Sequence, residues 1–248
     1  MDHRDQPVYR DYLGATRAAS DQENRKRHII GRSALLSALD ADSVDEVVRQ
    51  SSVVKVARRR PIHSQAEPGN FVYFVGTGRA LVVRRADGDR EFTVAYRGVG
   101  DIVGETPLAV GGAHRDGAIA IDQLEVLRVP TRLMSDLLEK LPKLSVGLLR
   151  VMAERRLEAE RRIEALLSRT VEARVADFLI RAAETHGISE SRGRLIGVKF
   201  THQEIANYVG STRETVTLTL GDMKRRGLIL FDHRRVVVQD EEGLRKLA

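Results

Sequence analysis

Arg213 and Glu214 stand side by side, just after Ser211 and Thr212 and just before Val216. A guanidinium can place two parallel donors on guanine O6 and N7, and a carboxylate can accept from a cytosine amino group. Carried end-on into a major groove by a helix, the pair has the chemistry of base-edge readout. Such chemistry needs a frame, and the stretch Thr201 to Leu220 supplies one. Ile205, Val209 and Val216 give apolar contacts between two short crossed helices, Ala206 is small where they approach, and Gly210 can take a left-handed turn. Thr201 with Glu204, and Ser211 with Glu214, fit the Ser/Thr-x-x-Glu capping box, so two helix starts are expected there. The pattern is that of a helix-turn-helix, a reader of double-stranded DNA. Two blander readings stand beside it: an ordinary pair of core helices with a glycine turn, and a Glu214 that only caps its own helix. Thr201, Gln203, Ser211, Thr212, Arg213, Glu214, Thr217, Leu218, Lys224 and Arg234 are the candidate DNA-contacting residues. Lys224, Arg225, Arg226, Arg234 and Arg235 form a basic cluster that can neutralise phosphates, although such a run is often only a solvated face.

Other chemistry is sparse. The chain has no cysteine, which excludes disulfides, thiolate metal sites and a cysteine nucleophile. His63, His114 and His202 are scattered rather than at metal-ligand spacing, so no metal is expected, with a single histidine ligand to haem left open. No nucleophile with a paired base is visible, and no enzyme is expected. The formal charge of +6 permits a polyanionic partner without demanding one. No run of about 18 apolar residues exists, and the first residues lack an apolar signal core, so no membrane association and a cytoplasmic location are expected.

The length of 248 residues favours two domains. Residues 1–30 are polar without apolar period and read as a mobile arm. Ser33 to Gln50 reads as a helix with an internal restart at Ser43 and Glu46. Between residues 53 and 129 come short β-rich runs, Phe71 to Val75, Arg79 to Arg85, Glu91 to Tyr96 and Leu124 to Val129, punctuated by glycines, as in a sandwich or barrel. Asp87-Gly88 is expected at a hairpin tip. A short helix, Thr131 to Leu138, precedes a long one, Leu144 to Ser168. The long helix has a seam of Leu149, Met152, Ile163 and Leu166 that suits a parallel two-helix contact, broken in the middle by Arg156 and Ala159.

This order of parts resembles the CRP/FNR family of bacterial transcription regulators. Two motifs carry the resemblance: Gly100-Asp-Ile-Val-Gly-Glu105 with Arg115, similar to the phosphate-binding cassette of cyclic-nucleotide domains, and Gln203-Glu-Ile-Ala-x-x-Val-Gly210-x-x-Arg-Glu-Thr-Val216. The fold it implies is α+β: a jelly-roll β-roll over 31–130, a dimerisation region over 131–168, and a winged helix-turn-helix over 169–248. Leu228 to Phe231 and Arg235 to Val238 would form the wing, turning at Asp232-His233-Arg234. It also implies a homodimer on a pseudo-palindromic site, with RNA polymerase as a further partner. Four residues after Glu214 the family often places a second base-reading arginine. Here Leu218 stands instead, able only to pack on a thymine methyl.

For the roll, the resemblance implies a ligand pocket of Gly104, Glu105, Thr106, Arg115, Asp116 and Glu160. Cyclic-AMP-binding relatives carry a hydroxyl residue after the arginine, whereas this chain has Asp116, which repels a phosphate and offers no proton. Where those relatives present a Thr-Ser pair to adenine, this chain has Ala159-Glu160. Three readings follow, the first preferred: no required ligand, cyclic di-GMP, or weak cyclic AMP (cAMP). Glu105 and Arg115 can alternatively form a purely structural ion pair. The competing class is a nucleotide-binding module that acts on a protein partner, which has no need of Arg213, Glu214 or a basic wing.

Overall fold

Strand β3 (Phe71–Thr77) is buried along both faces, which explains its unbroken apolar run. The computed structural model describes residues 7–85, 91–233 and 235–248. These fall into two compact units, Met1–Met152 and Ala153–Ala248.

In the first unit, one antiparallel sheet orders β1 (Ser52–Val56), β8 (Leu124–Pro130), β3 and β6 (Ile102–Val103). The other orders β2 (Pro61–His63), β7 (Gly117–Ala120), β4 (Ala80–Arg85) and β5 (Glu91–Arg97). Tyr73, Val75, Val103, Leu124 and Val126 of the first sheet meet Ala80, Val82, Ala95, Ala118 and Ala120 of the second in one core. The alternate residues of the first sheet, Val72, Phe74, Leu127 and Val129, pack outward against helices in a second core.

Those helices correct two expectations. The arm expected over 1–30 is helical from Pro7 in α1 (Pro7–Arg32), and its last turn buries Ile29 and Ile30. Ile29 Cδ1 lies 2.6 Å from where a Cβ on Gly76 would sit, so a bare glycine receives the helix. Lys26 Nζ donates to Val48 O at 2.7 Å and Arg27 to Asp45 at 2.6 Å. Two adjacent isoleucines carry no periodicity, and the contacts that hold this helix come from distant residues. The helix expected over 33–50 is a 3-10 turn (Leu36–Ala38) followed by α2 (Ala41–Gln50). Its start is Asp40, whose carboxylate accepts from Ser43 N at 2.9 Å, so the restart lies three residues ahead of Ser43.

The Asp87-Gly88 tip lies outside the described residues, while β4 and β5 pair up to Arg85 opposite Glu91. Short helices α3 (Thr106–Val110) and α4 (Thr131–Lys140) lead to the long α5 (Pro142–Ser168). On α5, Leu149, Ile163 and Leu166 are exposed and Met152 half-buried. Val146 and Leu157, which the seam did not include, are exposed too.

The second unit packs α6 (Val171–His186), α7 (His202–Val209) and α8 (Arg213–Arg225) together. A four-stranded sheet β11-β12-β10-β9 and a terminal helix α9 (Glu241–Leu247) complete it. The strands are β9 (Gly187–Glu190), β10 (Gly193–Ile196), β11 (Ile229–Asp232) and β12 (Arg235–Val238). Val175, Leu179, Ile196, Ile205, Val216, Leu220, Met223 and Val237 are all buried there.

Candidate nucleic-acid interface

Helix α7 opens on a complete capping box: Thr201 Oγ1 accepts from Glu204 N at 3.1 Å, and the Glu204 carboxylate accepts from Thr201 N at 2.6 Å. It closes on Gly210 in the left-handed region, φ 67° and ψ 52°, and Ser211 N donates to Ala206 O at 3.0 Å. A side chain at 210 would meet Leu166 Cδ2 at 2.6 Å, so both conformation and space demand glycine. The second helix starts one residue later than the box Ser211/Glu214 implies. Its N-cap is Thr212, which accepts from Thr215 N at 3.2 Å, and this corrects the Ser211 cap. Ser211 N is spent on closing the turn, so the chain reaches helical conformation only after Thr212. Glu214 therefore falls at the second helical position, outside any capping box.

Val216, Leu220 and Met223 turn inward on α8 and are buried. Arg213, Glu214, Thr217 and Leu218 are exposed, and their spacing of four puts Thr217 over Arg213 and Leu218 over Glu214 on one face. Leu218 is 74% exposed, a large apolar side chain left mostly in water. At the far end of α8 the basic cluster divides. Arg225 and Arg226 are held by Asp222, and Arg226 also by Glu172. Those two guanidiniums, Arg226 foremost, hold the Asp222 carboxyl below its usual range. Lys224 is exposed. The wing forms as expected from β11 and β12, with His233 at φ 44° in its turn; Arg234 lies outside the described residues. Arg192 donates to Asp232 at 2.6 Å and ties the wing to the β9–β10 turn.

Sequence reasoning missed the residues that brace the turn. Arg162 stacks over the Tyr208 ring at 4.4 Å and donates to Tyr208 O at 3.1 Å. Arg174 donates to Val209 O at 2.8 Å. Both satisfy carbonyls at the end of α7 that have no helical partner. The signal was absent because arginines on α5 and α6 look like ordinary surface charges until the fold brings them to the turn.

In the roll, Gly100 and Gly104 have φ of 90° and 72°, and Glu105 is the residue before α3, which begins at Thr106. Gly104 is buried, Glu105, Thr106 and Asp116 are half-buried, and Arg115 is exposed. Beneath Gly104 lies a feature the sequence reading dismissed. His63 and His114, called scattered, stack with ring centroids 4.1 Å apart, and Tyr73 stacks on His63 at 5.7 Å. Both histidines are 2% exposed, and a Cβ on Gly104 would meet His114 Cε1 at 2.9 Å. Burial, then the neighbouring His114, pushes the His63 imidazole down to about 4, and burial lowers His114 as well. Asp116 Oδ1 lies 3.9 Å from His63 Nε2, beyond hydrogen-bond reach. With the imidazole neutral near pH 7, that approach is not an ion pair. Among the described residues no group of three or more His, Cys, Asp or Glu is placed to hold a metal ion. A cavity of about 520 Å³ opens beside His63, Gln65, Val83, Arg85 and Gly117, and the cassette glycine and glutamate are not in its lining. Glu160 belongs to the second unit, where Arg156 donates to its carboxylate at 2.8 Å.

Residues 173–247 match the family model of the Crp-like helix-turn-helix domain, and residues 53–141 that of the cyclic nucleotide-binding domain. The chain is 31% identical over 183 residues to the global nitrogen regulator of Nostoc sp., covering 73% of this chain and 82% of that one. The chain belongs to the CRP/FNR family. Another similar protein is the CRP-like cAMP-activated global transcriptional regulator of Mycobacterium tuberculosis, 27% identical over 89% of this chain and 98% of that one. A solved CRP/FNR-family transcriptional regulator from Thermus thermophilus superposes with a TM-score of 0.63 at 28% identity, covering 79% of this chain and 98% of that one. Like other CRP/FNR members, this chain is a DNA-binding transcription regulator, built from a cyclic-nucleotide-binding-type roll and a helix-turn-helix. No helix among the described residues is long and apolar enough to cross a membrane.

Proposed function

We propose that this regulator acts as a homodimer on a pseudo-palindromic duplex site, reading each half-site with Arg213 and Glu214, and that it does so without a requirement for cAMP. The observation that carries the reading is the α8 face itself: Arg213, Glu214, Thr217 and Leu218 are exposed on one side of a capped helix whose other side is core. Arg213 forks onto a guanine and Glu214 accepts from a cytosine amino group. Lys224 and Arg235, with Thr201, Gln203 and Ser211 around the turn, would supply the phosphate contacts that fix the register. Exposed Leu149, Ile163 and Leu166 on α5, with Val146 and Leu157 beside them, supply apolar surface for a second copy. A two-fold pair places its two reading helices about one DNA turn apart.

The ligand half rests on Asp116. A half-buried carboxylate beside a cyclic phosphate repels it and replaces a donor with an acceptor. A second reading, control by cAMP or cyclic di-GMP, is favoured by the retained Gly104, Glu105 and Arg115 and by the cAMP-activated relative. Binding-site selection on wild type and Arg213→Ala tests the first part. The variant is expected to lose about 1–3 kcal/mol of discrimination at one G·C pair. An unchanged selected motif refutes the Arg213 assignment. Calorimetry with both nucleotides tests the second part, and clear micromolar cAMP binding overturns the ligand-independent reading.

A further inference from the structure

His202, the first residue of α7, lies against the reading helix rather than in open solvent: its Nδ1 is 2.8 Å from Thr217 Oγ1. Thr217 Oγ1 is also 2.8 Å from Arg213 O, one turn back on α8. A hydroxyl has one proton, and a carbonyl can only accept. The Thr217 proton therefore goes to Arg213 O, and the bond from His202 runs the other way, Nδ1–H to Oγ1. This places a proton on Nδ1. It also uses up the only donor that Thr217 has. The bond to the preceding turn restricts the threonine χ1, and with the proton on Arg213 O the γ-methyl is the part of this exposed side chain that carries no hydrogen bond. The other hydroxyls of this helix are likewise engaged within it: Thr212 with Thr215 at 2.8 Å, and Thr219 with Thr215 O at 2.9 Å. On the wing side, the Phe231 ring sits 6.3 Å from that of His202.

We propose that His202 is a positioning residue: by donating to Thr217 Oγ1 it occupies an acceptor site of the hydroxyl and holds its proton on Arg213 O, so that Thr217 serves as a methyl reader rather than a hydrogen-bonding one. With Leu218 beside it, Thr217 then selects a thymine by its 5-methyl group next to the base pair read by Arg213 and Glu214. The inference rests on the DNA-reading role proposed above. Of the candidate contacts, Arg213 and Glu214 recognise polar base edges, while Thr217 and Leu218 sense the absence or presence of one methyl group.

The test replaces each thymine of the selected half-site by deoxyuridine, which removes only that methyl, and measures affinity by fluorescence anisotropy. Wild type is expected to weaken about fourfold at the step facing Thr217, the equivalent of one buried methyl. Thr217→Ser, which keeps the hydroxyl and drops the methyl, removes the penalty. Thr217→Val, which keeps the methyl and drops the hydroxyl, retains the penalty while weakening overall binding, because His202 loses its acceptor. His202→Ala reduces the penalty, and His202→Asn, whose amide reaches the Nδ1 position, restores it. A penalty that Thr217→Ser leaves intact, or a selected motif and penalty that His202→Ala leaves unchanged, overturns the proposal. Sequence-specific binding with an Arg213-dependent G·C pair but no methyl penalty defeats this inference alone. Failure of wild type to prefer any duplex sequence defeats the DNA-reading proposal beneath it.

Discussion

Replacing His63 by leucine is expected to flatten the acid side of the stability curve. The imidazole is 2% exposed and packed against the rings of both Tyr73 and His114, and its folded value lies near 4 against an ordinary 6.5. Above pH 6.5 both folded and unfolded chains carry a neutral ring, and the favourable packing is fully present. As the pH falls below 6.5, the unfolded chain takes up a proton that the folded chain refuses until about pH 4, so stability drains away through that window. At about 1.4 kcal/mol per tenfold change in proton activity, the whole window is worth about 3 kcal/mol for this one residue. His114, lowered by its own burial, acts in the same direction. Urea unfolding followed by far-UV circular dichroism at pH 7, 6, 5 and 4 measures the effect. Carboxylates contribute to the acid loss of both proteins alike, so the difference between wild type and His63→Leu isolates the ring. The variant loses its stacking and starts from a different stability at pH 7, yet it should fall by about 3 kcal/mol less on the way to pH 4. Parallel curves for the two proteins refute the claim that a neutral buried imidazole underlies the cassette.

Thr201→Ala removes the side-chain half of the α7 capping box, the acceptor for Glu204 N, while the backbone N–H of residue 201 still reaches the Glu204 carboxylate; it is expected to cost about 1 kcal/mol in unfolding free energy, with Thr201→Ser restoring most of it, and a change below the error of urea titration contradicts this. Gly210→Ala forces a Cβ into a left-handed residue and against Leu166, for about 1–2 kcal/mol and a weaker operator complex. Gel-shift and melting data that match wild type would show that the turn does not need this glycine. Leu149→Asp combined with Ile163→Asp puts charges on the exposed face of α5 and is expected to yield monomers by light scattering, with intact circular dichroism. A dimer that survives the double change places the interface elsewhere.

The helix-turn-helix was legible because its determinants are local. Thr201, Glu204, Ile205, Val209 and Gly210 lie within ten positions, and each acts on its near neighbours through a cap, an apolar step or a turn. The β-rich runs were legible for the same reason, through alternation and glycine punctuation. Legibility failed wherever two local signals competed. Ser211 and Thr212 are both good cap residues, and only the hydrogen bond from Ser211 N to Ala206 O decides that Thr212 caps α8. It failed again at α1, where Ile29 and Ile30 mean little until Gly76 offers them a site.

The sequence by itself determined the family, the order of the parts and the pair Arg213 and Glu214 proposed as base readers, because motif spacing and residue chemistry are properties of short segments. Tertiary structure alone decided that His63 and His114 share one buried stack, that Arg162 and Arg174 brace the turn, and that His202 holds the Thr217 hydroxyl. Each of these joins residues far apart along the chain or on different elements. Their geometry, and with it the loss of charge on one ring and the donor that reaches one threonine hydroxyl, exists only after the elements have packed.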